Sequence, residues 1–168
     1  MKTNLEQSSK EDHGIFKKDI DPDVLTISDT LISNGYQAFV VGGCIRDMLL
    51  GKTPKDFDIA TDASPPEICK LFNKAKIIGR RFKIVHVYTS ERKYFEVTTF
   101  RSDVKKKTNE KKFKKIQGML KRDNVYGSIS QDAFRRDFTI NSLYLDLDSE
   151  ILHDYVNGLD DIKNKKLR

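Results

Sequence analysis

The chain has 168 residues, with 31 Lys and Arg against 25 Asp and Glu, for a formal net charge of +6. That length supports one domain with a real core. The basic excess favours a polyanionic partner and is compatible with RNA, without identifying it. No apolar run approaches the roughly 20 residues of a membrane helix. The opening M-K-T-N-L-E-Q-S-S-K-E-D has no apolar signal region, so a cytoplasmic protein is expected. Cys44 and Cys69 lack C-x-x-C or zinc spacing and read as reduced thiols, Cys44 as a small filler beside two glycines.

Residues 1–12 are polar and read as disordered, within a polar N-terminal segment 1–20. Asp21-Pro22 opens a helix with an apolar stripe of Val24, Leu25, Ile27, Leu31 and Ile32, which Asn34-Gly35 ends. Tyr36 to Val41 reads as a buried strand. Gly42-Gly43 then breaks the run, a short helical turn carries Arg46, and Asp56 to Thr61 reads as a second strand. Period two places Asp56 and Asp58 on one face of it, with Phe57 and Ile59 on the other. Adjacent carboxylates repel, and a hard divalent cation, Mg²⁺ or Mn²⁺, is the usual reason for them to share a face. Glycines let a ligand approach the backbone, helix-start N–H groups face an anion, and Arg46 adds a fixed charge. A phosphate cradle followed by a two-carboxylate metal site is the layout of a nucleotidyl-transfer centre.

Further on, Ser64-Pro65-Pro66-Glu67 is a capping-box helix start, with Ile68, Leu71 and Phe72 turned to the core. Lys76–Ile78 and Lys83–Tyr88 read as strands around a basic turn that contains Arg80 and Arg81. In the strand Tyr94–Phe100, Glu96 and Thr98 share one face. His86 reads as a buried, hydrogen-bonded histidine. The stretch of about 102–124 is lysine-rich and poor in apolar residues, including Lys105, Lys106, Lys107, Lys111 and Lys112. It reads as a flexible basic loop, either a solvated linker or a segment that closes on RNA or triphosphate. A second capping box at Ser128–Gln131 opens a helix carrying Asp132, Arg135, Arg136 and Asp137. Leu143–Leu147 fits either helix or strand. Ile151–Val156 reads as a strand, with a last short helix after Asn157-Gly158. Irregular alternation of strands and helices predicts an α+β domain over 21–168, a mixed sheet with helices mainly on one side.

The run G-G-C-I-R-D-M-L-L-G followed by D-F-D-I-A-T, with R-R-D-F-T-I-N-S-L at 135–143, resembles the class II nucleotidyltransferases. That family includes bacterial poly(A) polymerases and CCA-adding enzymes. G-R-R-F-K-I-V-H at 79–86 and D-N-V-Y-G-S-I at 123–129 are more similar to the poly(A) polymerase branch. The resemblance implies a polymerase-beta-like nucleotidyltransferase fold and addition of AMP from ATP to RNA 3′ ends, with Mg²⁺ or Mn²⁺ at Asp56 and Asp58. It implies nucleotide contacts from Gly42, Gly43, Arg46, Arg136 and Asn141. Asp137 is preferred as the third acid, with Glu96 as an auxiliary carboxylate. Arg80, Arg81 and the loop lysines are candidates for RNA contact. CCA addition to tRNA is the rival reading, and a nucleotide- or RNA-binding module without turnover is another. Helical neck and body regions follow the head in this family; none is expected within these residues.

Overall fold

The computed structural model describes residues 5–80, 82–90, 92–102 and 126–168. Within the polar N-terminal stretch residues 6–8 and 10–13 take regular structure, contrary to the disorder expected from its composition. Glu6–Ser8 forms β1, an edge strand antiparallel to Leu152–Asp154. Helix α1 (Lys10–His13) follows, begun by reciprocal capping between Ser9 and Asp12. Lys10 meets Glu150 at 2.8 Å, and the ring of buried His13 bonds the Glu150 carbonyl at 3.2 Å. Backbone groups hold an edge strand, so a segment without apolar character can join a sheet.

The next elements follow their start and stop signals. Asp21 caps α2 (Pro22–Ser33) by accepting the Asp23 N–H at 2.9 Å, and Gly35 leaves the helix at φ 85°. Strand β2 (Ala38–Val41) is buried along its length and leads into α3 (Gly43–Leu49). Strand β3 covers Asp58–Thr61, so Asp56 stands just ahead of it. Ser64 and Glu67 form the capping box of α4 (Pro65–Leu71). Then come β4 (Ala75–Ile78), β5 (Ile84–Tyr88) and β6 (Tyr94–Thr99). Helix α5 covers Ile129–Phe134 and stops before the arginines, shorter than its sequence pattern. Leu143–Asp146 resolves as strand β7, because it pairs with both β2 and β8 (Leu152–Asp154). Helix α6 is Gly158–Lys163.

Among the described residues the strands form one sheet in the order β1-β8-β7-β2-β3-β6-β5-β4. The pair β3–β6 is parallel and the other pairings are antiparallel, which makes the sheet mixed. Val24, Ile27 and Leu31 of α2, Ile45 of α3, Ile68 of α4 and Leu159 of α6 pack on one face, against Val40, Ile59, Val97 and Leu145. The other face carries a smaller cluster of Phe39, Val41, Ala60, Phe100 and Tyr144, closed by Ala133 of α5. Helices thus lie mainly on one side, as the sequence pattern predicts. No described helix is long and apolar enough to cross a membrane.

Gly158 is buried at the start of α6, where an added Cβ would collide with the Thr139 carbonyl. This contact seats α6 against the 3₁₀ turn Thr139–Asn141. Gly158→Ala should therefore cost about 2 kcal/mol by overpacking and lower the thermal midpoint by about 5 °C. Circular dichroism melts check this; an unchanged midpoint would mean the turn yields freely.

Candidate active site

The sequence alternation along β6 holds: Phe95, Val97 and Thr99 are buried, while Glu96 and Thr98 lie half-buried on the opposite face. The parallel register with β3 places Glu96 directly beside Asp58. Asp56 is exposed just before β3. Burial first, then the charges of Glu96 and Asp56, push the Asp58 carboxyl up to about 6, with Arg136 opposing them. Among the described residues no group of three or more His, Cys, Asp or Glu is gathered tightly enough to hold a metal ion by protein ligands alone. The donor set still fits Mg²⁺ or Mn²⁺. It is oxygen-only, it repels itself without a cation, and Mg²⁺ is usually held by one or two carboxylates with water and phosphate oxygens completing the shell.

Gly42 begins α3 at φ 93° and ψ −147°, a conformation that favours glycine. A Cβ there would stand 3.4 Å from Asp58 Oδ2 and 4.0 Å from Arg136 Nη1. The glycine therefore keeps a narrow gap between the acid and the guanidinium. At Gly43 a Cβ would come within 3.3 Å of Arg46 Nη2, so the second glycine makes room for Arg46. Arg46 donates to Asp47 Oδ1 at 2.7 and 2.9 Å and to Asn141 Oδ1 at 2.8 Å. The two sequence signatures, 95 residues apart, thus meet side chain to side chain.

Asp132 is the site residue that sequence reading passed over. Its side chain is buried, and its Oδ1 accepts from Arg135 at 2.6 and 2.9 Å and from the Arg101 N–H at 3.0 Å. Its Oδ2 accepts the Tyr144 hydroxyl at 2.7 Å and Arg136 at 3.3 and 3.4 Å. Burial alone would raise this carboxyl, but Arg136 and Arg135, with the Tyr144 bond, hold it below the ordinary aspartate value. Arg136 also donates to the Tyr144 hydroxyl at 2.9 Å. The i,i+3 and i,i+4 spacing from Asp132 to Arg135 and Arg136 was the available signal. Next to this hub, Arg101 forms an isolated antiparallel bridge with Tyr126, and the Gly127 N–H donates to Phe100 O at 3.0 Å.

Asp137 is exposed, accepts the Phe138 N–H at 2.9 Å, and lines a cleft of about 590 Å³ shared with Arg136, Tyr155 and Asn157. The helix ends before it, and Glu96 occupies the position next to Asp58. His86 is half-buried on the open face rather than in the core. Its ring stacks on Tyr94 at 4.1 Å, and its Nε2 lies 3.4 Å from Glu96 Oε1. Cys44 is a filler as expected: its Sγ bonds Val41 O at 3.2 Å, and burial pushes the thiol up to about 12. Arg80 is exposed in the turn between β4 and β5. Arg81 and Lys105, Lys106, Lys107, Lys111 and Lys112 lie outside the described residues.

A CCA-adding enzyme of Bacillus stearothermophilus, solved in complex with CTP, superposes on 89% of this chain and 34% of its own. The TM-score is 0.70 and the identity 31%. The fold is that of a nucleotidyltransferase head. The chain belongs to the poly(A) polymerase head domain family, whose model matches residues 38–168. Poly(A) polymerase I of Haemophilus influenzae is 43% identical over 173 residues, covering 97% of this chain and 38% of that protein. A CCA-adding enzyme of Oceanobacillus iheyensis is 40% identical over 146 residues, covering 84% of this chain and 33% of that protein. The chain spans about a third of the length of these curated relatives.

Two stability measurements probe this arrangement in metal-free buffer. Folded Asp58 keeps its proton to about pH 6 against an ordinary value of 3.8, so folding is penalised progressively as pH rises between them. Asp58→Asn should stabilise the chain at pH 7 by about 2 kcal/mol, after allowance for solvent. Near pH 4 the difference should vanish; a pH-independent difference would mean that the like charges are not the cause. Asp132→Ala strands two arginines and should cost about 3 kcal/mol or more. Urea titration measures it, and a loss under 1 kcal/mol would show that the hub carries little.

Proposed function

We propose that this chain acts as the head of a template-independent RNA nucleotidyltransferase that adds AMP from ATP to RNA 3′ ends. The observation that carries the reading is the register pairing of Asp58 with Glu96, with Arg136 on the other flank of Asp58. Phosphoryl transfer of this kind needs little covalent work from the protein; it needs positioning and charge neutralisation. Asp56, Asp58 and Glu96 are the residues that would hold Mg²⁺ or Mn²⁺. Bound there, the ions would supply activation of the attacking hydroxyl and stabilisation of the leaving oxygen.

The remaining roles fall to the chain itself. Gly42 and Gly43 leave the backbone open to the triphosphate, and Arg46 and Arg136 offer it guanidinium charge. Asn141 fixes Arg46 from the far side. The cleft between Arg136 and Asp137 has room for the nucleoside part. Asp58 orients the RNA 3′-hydroxyl for in-line attack on the α-phosphate, and pyrophosphate leaves toward the arginines. Arg80, Arg81 and the basic stretch with Lys105, Lys106, Lys107, Lys111 and Lys112 would contact RNA phosphates without sequence preference. Similarity to poly(A) polymerase I across 97% of the chain supports ATP and a general RNA end as substrates. CCA addition to tRNA is the second reading, supported by the 40% identity to the Oceanobacillus enzyme.

An extension assay decides. The chain is incubated with Mg²⁺, each triphosphate separately, and either an unstructured RNA or a tRNA lacking its 3′ end. A long ladder with ATP on the plain RNA is expected. One to three additions on tRNA alone would establish the CCA reading, and binding of Mg²⁺–ATP without extension would leave a binding module. Asp58→Ala should lower extension more than about 100-fold while the fold persists; near-normal extension would remove Asp58 from the site.

A further inference from the structure

The sheet face that carries Asp58 continues beyond Glu96 onto β5 and β4. Period-two alternation puts Tyr94 and Glu96, His86 and Tyr88, and Lys76 on that face, while Phe95, Val85 and Val87 are buried behind it. Strand register aligns Asp58, Glu96, His86 and Lys76 in one row across four strands. Tyr94 stands opposite Tyr88 in the next row. The His86 and Tyr94 rings are stacked at 4.1 Å with 13° between their planes, and Tyr88 lies 5.6 Å from Tyr94. Lys76 Nζ sits 5.8 Å from the centre of the Tyr88 ring. Neither hydrophobic cluster includes these rings, and Tyr94 remains 47% exposed. Cross-strand pairing explains why the rings touch each other. It does not explain why the group is topped by an exposed tyrosine, with Asp58 and Glu96 on one side and a cation on the other.

We propose that His86, Tyr88 and Tyr94, with Lys76, form a stacking platform for the nucleotides next to the 3′ end of a single-stranded RNA. Side choice within the site identifies the occupant. The groups offered to the triphosphate, Gly42 and Arg136, lie toward β2, whereas the platform lies past β6, and β2 and β6 are the opposite neighbours of β3. The strand that supplies the attacking hydroxyl must approach from the side that the triphosphate leaves open. Lys76 lies about 14 Å from Asp58, three strand spacings along the row, where it can meet a backbone phosphate. Aromatic faces accept any base, so the platform holds RNA without reading it.

The inference rests on the nucleotidyl-transfer reading, yet it can be tested without turnover. A short oligoadenylate with 2-aminopurine as its penultimate base is titrated into the chain with no triphosphate or metal. Stacking should quench the fluorophore in the wild type and in Tyr94→Phe, which keeps the ring. Tyr94→Leu should lose most of the quenching and bind at least fivefold more weakly, and Lys76→Gln should reduce the salt slope of binding by about one. In extension assays Tyr94→Leu should raise the KM for RNA by a similar factor, with the KM for ATP moving less than twofold. Equal quenching and affinity in Tyr94→Leu, no binding by the wild type, or a rise in the ATP KM instead would overturn the platform. Quenching without any extension would overturn nucleotidyl transfer and leave the platform standing.

Discussion

The site depends on how β3 is set into the sheet. Four residues long, it is held antiparallel to β2 on one edge and parallel to β6 on the other. Ile59 and Thr61 face the main core, and Asp58 and Ala60 face away. A slip of one residue would turn every side chain over and push Asp58 into the apolar layer between sheet and helices. The apolar burial of Ile59 therefore holds the acid on the opposite face of the sheet, in register with Glu96. Core packing and site geometry are one constraint here.

The charges that β3 gathers are balanced unevenly. On one side Asp58 has two acids for neighbours; on the other it has Arg136. If Arg136 turned fully to Asp58, the acid would be neutralised and of little use to a cation. Asp132 and the Tyr144 hydroxyl prevent this by engaging the guanidinium from behind through its Nε and Nη2 atoms. Nη1 is the atom nearest Gly42. Tyr144 itself is held protonated by burial, so it donates to Asp132 and accepts from Arg136 at once.

Local chemistry made much of this legible in the sequence. The caps at Asp21, Ser64 and Ser128, the alternation in β6, and the glycine pair ahead of Arg46 all act within a few residues, and each stands where its pattern placed it. What was not legible depends on partners far along the chain. β1 has no apolar pattern because its hold on β8 is backbone pairing at an edge. Leu143–Asp146 fits two periods, and its two neighbouring strands make the choice. The register that sets Glu96 beside Asp58 is of the same kind. A parallel register between strands nearly forty residues apart leaves no mark on either segment alone. Asp132 was within reach, since its arginine partners are one helical turn away, but an acid on a helix normally reads as solvated.

The bridge between Arg101 and Tyr126 bears on how the two sides of the site are kept together. Residues far apart in the sequence are pinned to each other there by the bridge, by the Gly127 bond and by Asp132. The end of β6 and the start of α5 therefore share one fixed point. A substitution that loosens either anchor would reach the arginine that faces Asp58 by way of Asp132.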